Sequence, residues 1–137
     1  MLVQPYLFFE GRCEEAMEFY RRAVGAQVEM LIRYKDSPEP ARPGVVPTGG
    51  EDKVMHASFR IGDTTLMASD GHCSGQAAFQ GFSLSLTVAD EAEVGRVFAA
   101  LGDGGKVIMP AAKAFFSPRF GMLADKFGVT WMIIARV

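Results

Sequence analysis

Val54 to Asp70 reads VMHASFRIGDTTLMASD, two runs of β-forming residues joined at Gly62-Asp63. Glycine takes the positive φ of a two-residue hairpin turn at no steric cost, so the stretch reads as two antiparallel strands. Met122 to Ala135, MLADKFGVTWMIIA, echoes it around Phe127-Gly128. Placing Gly62 on Gly128 sets Thr64 on Thr130, Leu66 on Met132 and Ala68 on Ile134. A second echo is helical: Ala16, Phe19, Tyr20 and Ala23 recur 78 residues later as Val94, Val97, Phe98 and Leu101. Both sets have the i, i+3, i+4, i+7 spacing of one helix face. The hairpin offset is 66, so the first copy carries twelve more residues between helix and hairpin, and Asp36 to Lys53 supplies them. Each copy then reads strand, helix, three strands, the first over residues 1–72 and the second over 80–137 of one domain.

The 137 residues, 49% hydrophobic and 22% charged, suffice for one ordinary globular core and not for two separate ones. A net charge of -2 and no cluster of Lys or Arg argue against nucleic acid and anionic lipid as partners. No apolar run approaches the ~18 residues of a membrane span, and the N-terminus lacks a basic segment followed by an apolar core. The expectation is a cytoplasmic protein. Cys13 and Cys73, two cysteines without a CxxC, suit a reducing compartment.

Val3 to Phe9 reads as the first strand. The first helix is expected over Cys13 to Val24, with Glu14 and Glu15 at the positive end of its dipole and Gly25 as its stop. Gln27 to Lys35 alternates as a half-buried strand. Asp36 to Lys53 holds four prolines and three glycines and is a long loop, either a lid or a connector. Gly71 to Gln80 is the polar seam between the copies. Phe82 to Val88 alternates as a strand, Asp90 and Glu93 have capping-box spacing before the second helix, and Gly102, Gly104 and Gly105 end it. Lys106 to Met109 begins a strand that Pro110 is expected to interrupt. Ala114 to Phe120 then crosses to the seventh strand.

A sheet with helices on one side turns its apolar parity toward them. Met55, Ala57, Phe59, Ile61, Leu84, Leu86 and Val88 are assigned to that side. His56, Ser58, Arg60, Ser83, Ser85 and Thr87 fall on the other. Hairpin parity adds Leu66, Ala68, Met132 and Ile134 to this second face, giving apolar walls with a few polar groups, the composition of a small-molecule site. A plain solvated face is the alternative.

The segments PYLFFEGRCEEAMEFY (Pro5 to Tyr20), VMHASFRIGDTTLMASD, KVIMP (Lys106 to Pro110) and FGMLADKFGVTWMI (Phe120 to Ile133) resemble the PhnB-like group of the glyoxalase/bleomycin-resistance/extradiol-dioxygenase, or vicinal oxygen chelate, superfamily. The resemblance covers nearly the whole chain. It implies an α+β fold of paired βαβββ modules, an eight-stranded mixed sheet curled around a cleft with helices outside, and commonly a homodimer. Where the family often has Thr-Phe-Trp, this chain has Ala114, Phe115 and Phe116. Superfamily metal sites take one inward His, Gln or Glu from the first and last strand of each module. Those positions fall here on Pro5, Leu66, Ser83 and Met132, none a usual ligand of a divalent metal. No metal or other cofactor is therefore expected, with a divalent metal as the alternative.

His56 is the candidate general base, or else a histidine hydrogen-bonded across the sheet. Arg60 clamps an anionic group or is a solvated charge. Phe115 and Phe116 wall the cleft or lie at a dimer interface. His72 and Cys73 fall in the seam with no assigned chemistry, and Cys13 is either a helix-stabilised thiolate or a buried small side chain. The candidate ligand-binding set is His56, Ser58, Arg60, Leu66, Ser83, Ser85, Thr87, Phe115, Phe116 and Met132. Two functions compete: metal-free capture of a small, partly apolar molecule, and a lyase, isomerase or dioxygenase reaction. A third is the demethylubiquinone methyltransferase label often attached to the family. It lacks the Gly-rich loop between strand and helix that an S-adenosylmethionine fold needs.

Overall fold

The computed structural model describes residues 1–37, 46 and 48–137. They form two compact units, Met1–Ala77 and Ala78–Val137. The boundary falls inside the polar seam read from the sequence. The first unit runs β1 (Tyr6–Phe8), α1 (Cys13–Val24), β2 (Gln27–Arg33), a 3-10 turn (Tyr34–Asp36), β3 (Val54–Ile61) and β4 (Thr64–Ser69). The second runs β5 (Leu84–Val88), α2 (Glu91–Gly102), β6 (Lys106–Ala114), β7 (Ser117–Ala124) and β8 (Thr130–Ala135). The eight strands are hydrogen-bonded as two mixed sheets of four, ordered β1-β4-β3-β2 and β5-β8-β7-β6. In each, the first strand lies parallel to the last and the remaining pairs are antiparallel. Most of the proline- and glycine-rich loop, 38–45 and 47, lies outside the described residues.

The first core is aromatic. Along α1, Ala16, Phe19, Tyr20 and Ala23 are buried as their spacing predicts, and Cys13 and Met17 join them. The helix sits on β3, where Tyr20 stacks on Phe59 with ring centroids 6.0 Å apart. Burying an aromatic of this size is worth roughly 1.5–3 kcal/mol. Gly25 closes the helix in the left-handed region, its N–H donating to Arg21 O. The turn is as expected: Gly62 has φ +57 and Ile61 pairs with Thr64 across it.

In the second unit α2 lies on β7 and β8, burying Val94, Val97 and Leu101, and Leu123, Trp131 and Ile133 are buried in its strands. Asp90 caps α2 by accepting the Glu93 N–H at 2.9 Å. The capping box is half made, because the Glu93 carboxylate pairs with Arg96 instead. Pro110 does not interrupt β6. The strand continues to Ala114 with register shifts around the proline. β6 is at the sheet edge, where a missing N–H removes no essential ladder bond.

Two face assignments are corrected by the registers. Leu66 and Ala68 pair with Phe59 and Ala57, so they share the helix-side face and are buried, 4% and 0% exposed. In the second unit Met132 and Ile134 pair with Ser85 and Thr87 on the face away from the buried Trp131 and Ile133, as expected. The two hairpins differ because only Gly62 and Asp63 separate β3 from β4, whereas Asp125 to Val129 separate β7 from β8. Aligning the turn glycines therefore puts the following strands one residue out of phase. Met55 is the other correction. A register shift near the start of β3 keeps Val54 buried and leaves Met55 half-buried, off the helix-side face.

A candidate ligand-binding cavity in the first unit

The registers place Tyr6 beside Met67 and Phe8 beside Ser69, on the face of β1 and β4 opposite Leu7 and Ala68. Ser58 pairs with Met67, and Arg60 with Thr65, on the same side. At one end of this face is a cavity of about 520 Å³ lined by Tyr6, Phe8, Glu10, Tyr34, Met55, Ser69, Gly71 and His72. Its size is that of a small-molecule site, and aromatic walls with a few polar groups are the usual composition.

Local sequence explains each wall. Tyr6 and Phe8 are two apart on a strand and so point to one face, their rings 5.0 Å apart. Tyr34 is brought in by the 3-10 turn that ends β2, and its hydroxyl donates to Gly71 O at 2.5 Å. Glu10 stands between β1 and α1 in the left-handed region, φ +52. Its carboxylate accepts the His72 N–H and the Ser74 hydroxyl, each at 3.1 Å. Gly71 has φ +56, and a Cβ there would meet Glu10 Oε2 at 2.2 Å. Its backbone conformation favours glycine, and a Cβ would push the carboxylate from its seat.

Behind the cavity Asp70, 1% exposed, organises the end of β4. Its carboxylate accepts backbone N–H groups from Gly11 (3.0 Å), Cys13 (2.7 Å) and Val54 (2.8 Å). Arg12, at the N-cap of α1, offers no side-chain cap, and one orphan donor of the helix, the Cys13 N–H, is satisfied from 57 residues away. Cys13 is wholly buried, and burial first, then Asp70 and Glu14, push its thiol far above the usual range. Its complete burial supports the reading of Cys13 as a small core side chain.

Of the residues singled out in the sequence, His56 does not line the cavity but reaches it through Tyr6: the phenol and His56 Nδ1 share a hydrogen bond of 2.8 Å. Burial first, then Cys13 and Tyr34, raise the Tyr6 phenol above its ordinary pKa, with Ser69 working the other way. Burial likewise raises Tyr34. Both phenols are therefore neutral near pH 7. Ser58 lies on the open face. Arg60 is paired, donating to Gln27 Oε1 at 2.7 Å and lying 3.7 Å from Glu29. Leu66 is in the helix-side core and does not reach the site. In the second unit Ser83 is half-buried, Ser85 and Thr87 are exposed, and Met132 is half-buried beside them. Phe115 is fully exposed, with Phe116 5.1 Å from it and 5.0 Å from Phe120.

The metal positions implied by the resemblance can be tested against these faces. In the first unit Pro5 carries no donor atom on its side chain and Leu66 is buried against the helix side. The neighbouring pair on the open face is Tyr6 and Met67. In the second unit the equivalents are Ser83 or Ser85 with Met132. Neither pair supplies the imidazole, carboxylate or amide donors that hold a divalent ion, so the residues do not fit a superfamily metal.

Two βαβββ units, each with its first strand parallel to its last, define a chain of the vicinal oxygen chelate class. The fosfomycin resistance protein FosX of Mesorhizobium loti has the same fold at 14% identity, with TM-score 0.65 over 100% of this chain and 92% of that one. Within that class the chain belongs to the PhnB-like family, whose profile is named 3-demethylubiquinone-9 3-methyltransferase and matches residues 2–134. Protein YjdN of Escherichia coli K12 is 36% identical over 138 residues, 97% of this chain and 94% of that protein. The structure of PA1353 from Pseudomonas aeruginosa is 40% identical, with TM-score 0.83 over 99% and 98% of the two chains. A putative 3-demethylubiquinone-9 3-methyltransferase, PhnB protein, from Bacillus cereus is 30% identical, with TM-score 0.79 over 99% and 100%. The methyltransferase name is the family's name.

None of the ten candidate ligand-binding residues taken from the sequence lines this cavity, and His72, with no chemistry assigned to it, does. Tyr6, Phe8 and Glu10 are spaced by two before Gly11, a signal that a strand turns aromatic groups and then a carboxylate to one face. Tyr34 and Gly71 had no such signal, because a turn and a seam bring them in.

Proposed function

We propose that this chain captures a small, partly apolar molecule in the cavity of the first unit, and that it does so without a metal ion. The observation that carries the reading is the cavity itself, about 520 Å³ with Tyr6, Phe8, Tyr34 and Met55 as walls and Glu10, Ser69 and His72 as polar groups. The mismatch of donor types at the superfamily metal positions supports the metal-free part. Against methyl transfer, β1 and α1 are joined with one glycine, Gly11, and the N–H groups that a Gly-rich loop would offer a cofactor are taken here by Asp70.

An enzymatic reading rests on one pair, Tyr6 and His56, which is placed to move a proton at the cavity wall. One experiment separates the two. Protein purified without a metal-affinity tag is assayed for bound metals, then screened by thermal shift with small aromatic compounds, and each stabilising compound is recovered and analysed. Capture predicts no stoichiometric metal, a rise in Tm with ligand concentration and a compound recovered unaltered. Stoichiometric metal, or a compound converted by the wild type and not by His56→Asn, contradicts it.

The proposal extends to a homodimer in a reducing, cytoplasmic setting. Both cysteines are free. Val107, Ile108 and Met109 of β6 are about half exposed, and Phe115 fully so, an apolar edge suited to a second copy. Sedimentation at micromolar protein is expected to give a dimer that Ile108→Lys weakens. A monomer in the wild type contradicts this. No helix among the described residues is long and apolar enough to cross a membrane.

A further inference from the structure

We propose that the ligand of this cavity is an organic cation, an ammonium group held by the Glu10 carboxylate among the rings of Tyr6, Phe8 and Tyr34. The inference rests on the capture reading above and adds the charge of the guest. Among the described residues, Glu10 is the only acidic or basic side chain other than a histidine that lines the cavity. Two of the nearby cations are paired with other carboxylates, and the third is held by a backbone carbonyl beside Glu10. Arg33 is bound to Glu14 and to Asp52 O, Lys35 to Asp52, and Lys53 Nζ donates to Gly11 O at 2.9 Å. No Lys or Arg among the described residues is within ion-pair distance of Glu10.

The carboxylate makes two hydrogen bonds, to His72 N–H and Ser74 Oγ, which leaves acceptor capacity on both oxygens. It is held there at some cost. A non-glycine residue in the left-handed region is unfavourable, persists where the surrounding structure over-determines it, and is found more often at binding sites. Gly71 adds a second constraint on the same atom, since any side chain there collides with Glu10 Oε2. One cavity lining thus combines three aromatic rings with a carboxylate that has no Lys or Arg partner, a composition that suits an ammonium group, since ring faces attract a cation and a carboxylate replaces part of its hydration. An anion would meet the Glu10 carboxylate with no Lys or Arg on the lining to offset the repulsion.

The test uses three probes of similar size and different charge, benzyltrimethylammonium, benzyl alcohol and benzoate, titrated into the wild-type chain by calorimetry. The ammonium compound is expected to bind at least about tenfold more tightly than the alcohol, and benzoate most weakly. Added salt should weaken the ammonium compound and leave the alcohol unchanged. In Glu10→Gln the ammonium compound should fall to the level of the alcohol, and Gly71→Ala should do the same by displacing the carboxylate. If either variant fails to fold, the salt dependence of the wild type decides. Equal binding of ammonium and alcohol, or a preference for benzoate, overturns the cation proposal and leaves capture standing. Binding of none of the three at millimolar concentration overturns both.

Discussion

Replacing Asp70 with alanine is expected to lower the unfolding free energy by about 3–5 kcal/mol, a large part of the ~5–15 kcal/mol available to a domain of this size. The carboxylate accepts three backbone donors, from Gly11, Cys13 and Val54, and it is 1% exposed. Removing it leaves those donors facing a void too small for full hydration, at roughly 1–3 kcal/mol for each one left unsatisfied. It also removes the N-terminal cap of α1, for which Arg12 supplies no substitute. Asp90→Ala removes a cap of the same kind from an exposed site and should cost only about 1 kcal/mol. Urea titration of both variants measures the difference. An Asp70→Ala loss no larger than that of Asp90→Ala would mean that water replaces the carboxylate and that the end of β4 does not organise α1.

Asp125→Ala is expected to cost about 2–4 kcal/mol, for a related reason in the second unit. Asp125 is 3% exposed and accepts from Phe127 N–H (2.9 Å), Val129 N–H (3.1 Å) and Trp131 Nε1–H (2.9 Å). It therefore fixes both the five-residue connection and the indole that follows it. An indole N–H left alone in a core has no solvent to turn to. The intrinsic fluorescence of Trp131, the one tryptophan, should shift toward that of a mobile indole in the native variant. Unchanged stability and an unchanged spectrum would show that the indole finds another partner.

These two aspartates mark where sequence reading succeeds and where it stops. Local signals are legible in the string: the helix faces with their 3.6-residue period, the Gly62-Asp63 turn, the Asp90 cap and the strand-helix-strand-strand-strand order of each copy. Partners far apart in sequence are not. Nothing in the string ASD tells that Asp70 caps a helix that begins at Cys13, because that depends on β1 lying parallel to β4. The misplacement of Leu66 has a sharper cause. A turn of two residues and one of five differ by an odd number, and side chains alternate with period two, so aligning the glycines reversed every face assignment in β4. The site suffered accordingly. His56 touches the cavity through Tyr6, whereas Tyr34 and Gly71 reach it from a turn and a seam whose meeting no periodicity encodes.

The central claim, capture in the first unit, is tested most directly by following methionine methyl groups by NMR while a stabilising ligand is added. Of the eight methionines, Met55 lines the cavity, whereas Met122 and Met132 lie in the second unit and Met109 on its exposed β6 edge. The Met55 methyl signal should move saturably with ligand, with Met109, Met122 and Met132 unmoved. Saturable shifts at Met122 and Met132 with Met55 still would contradict the account.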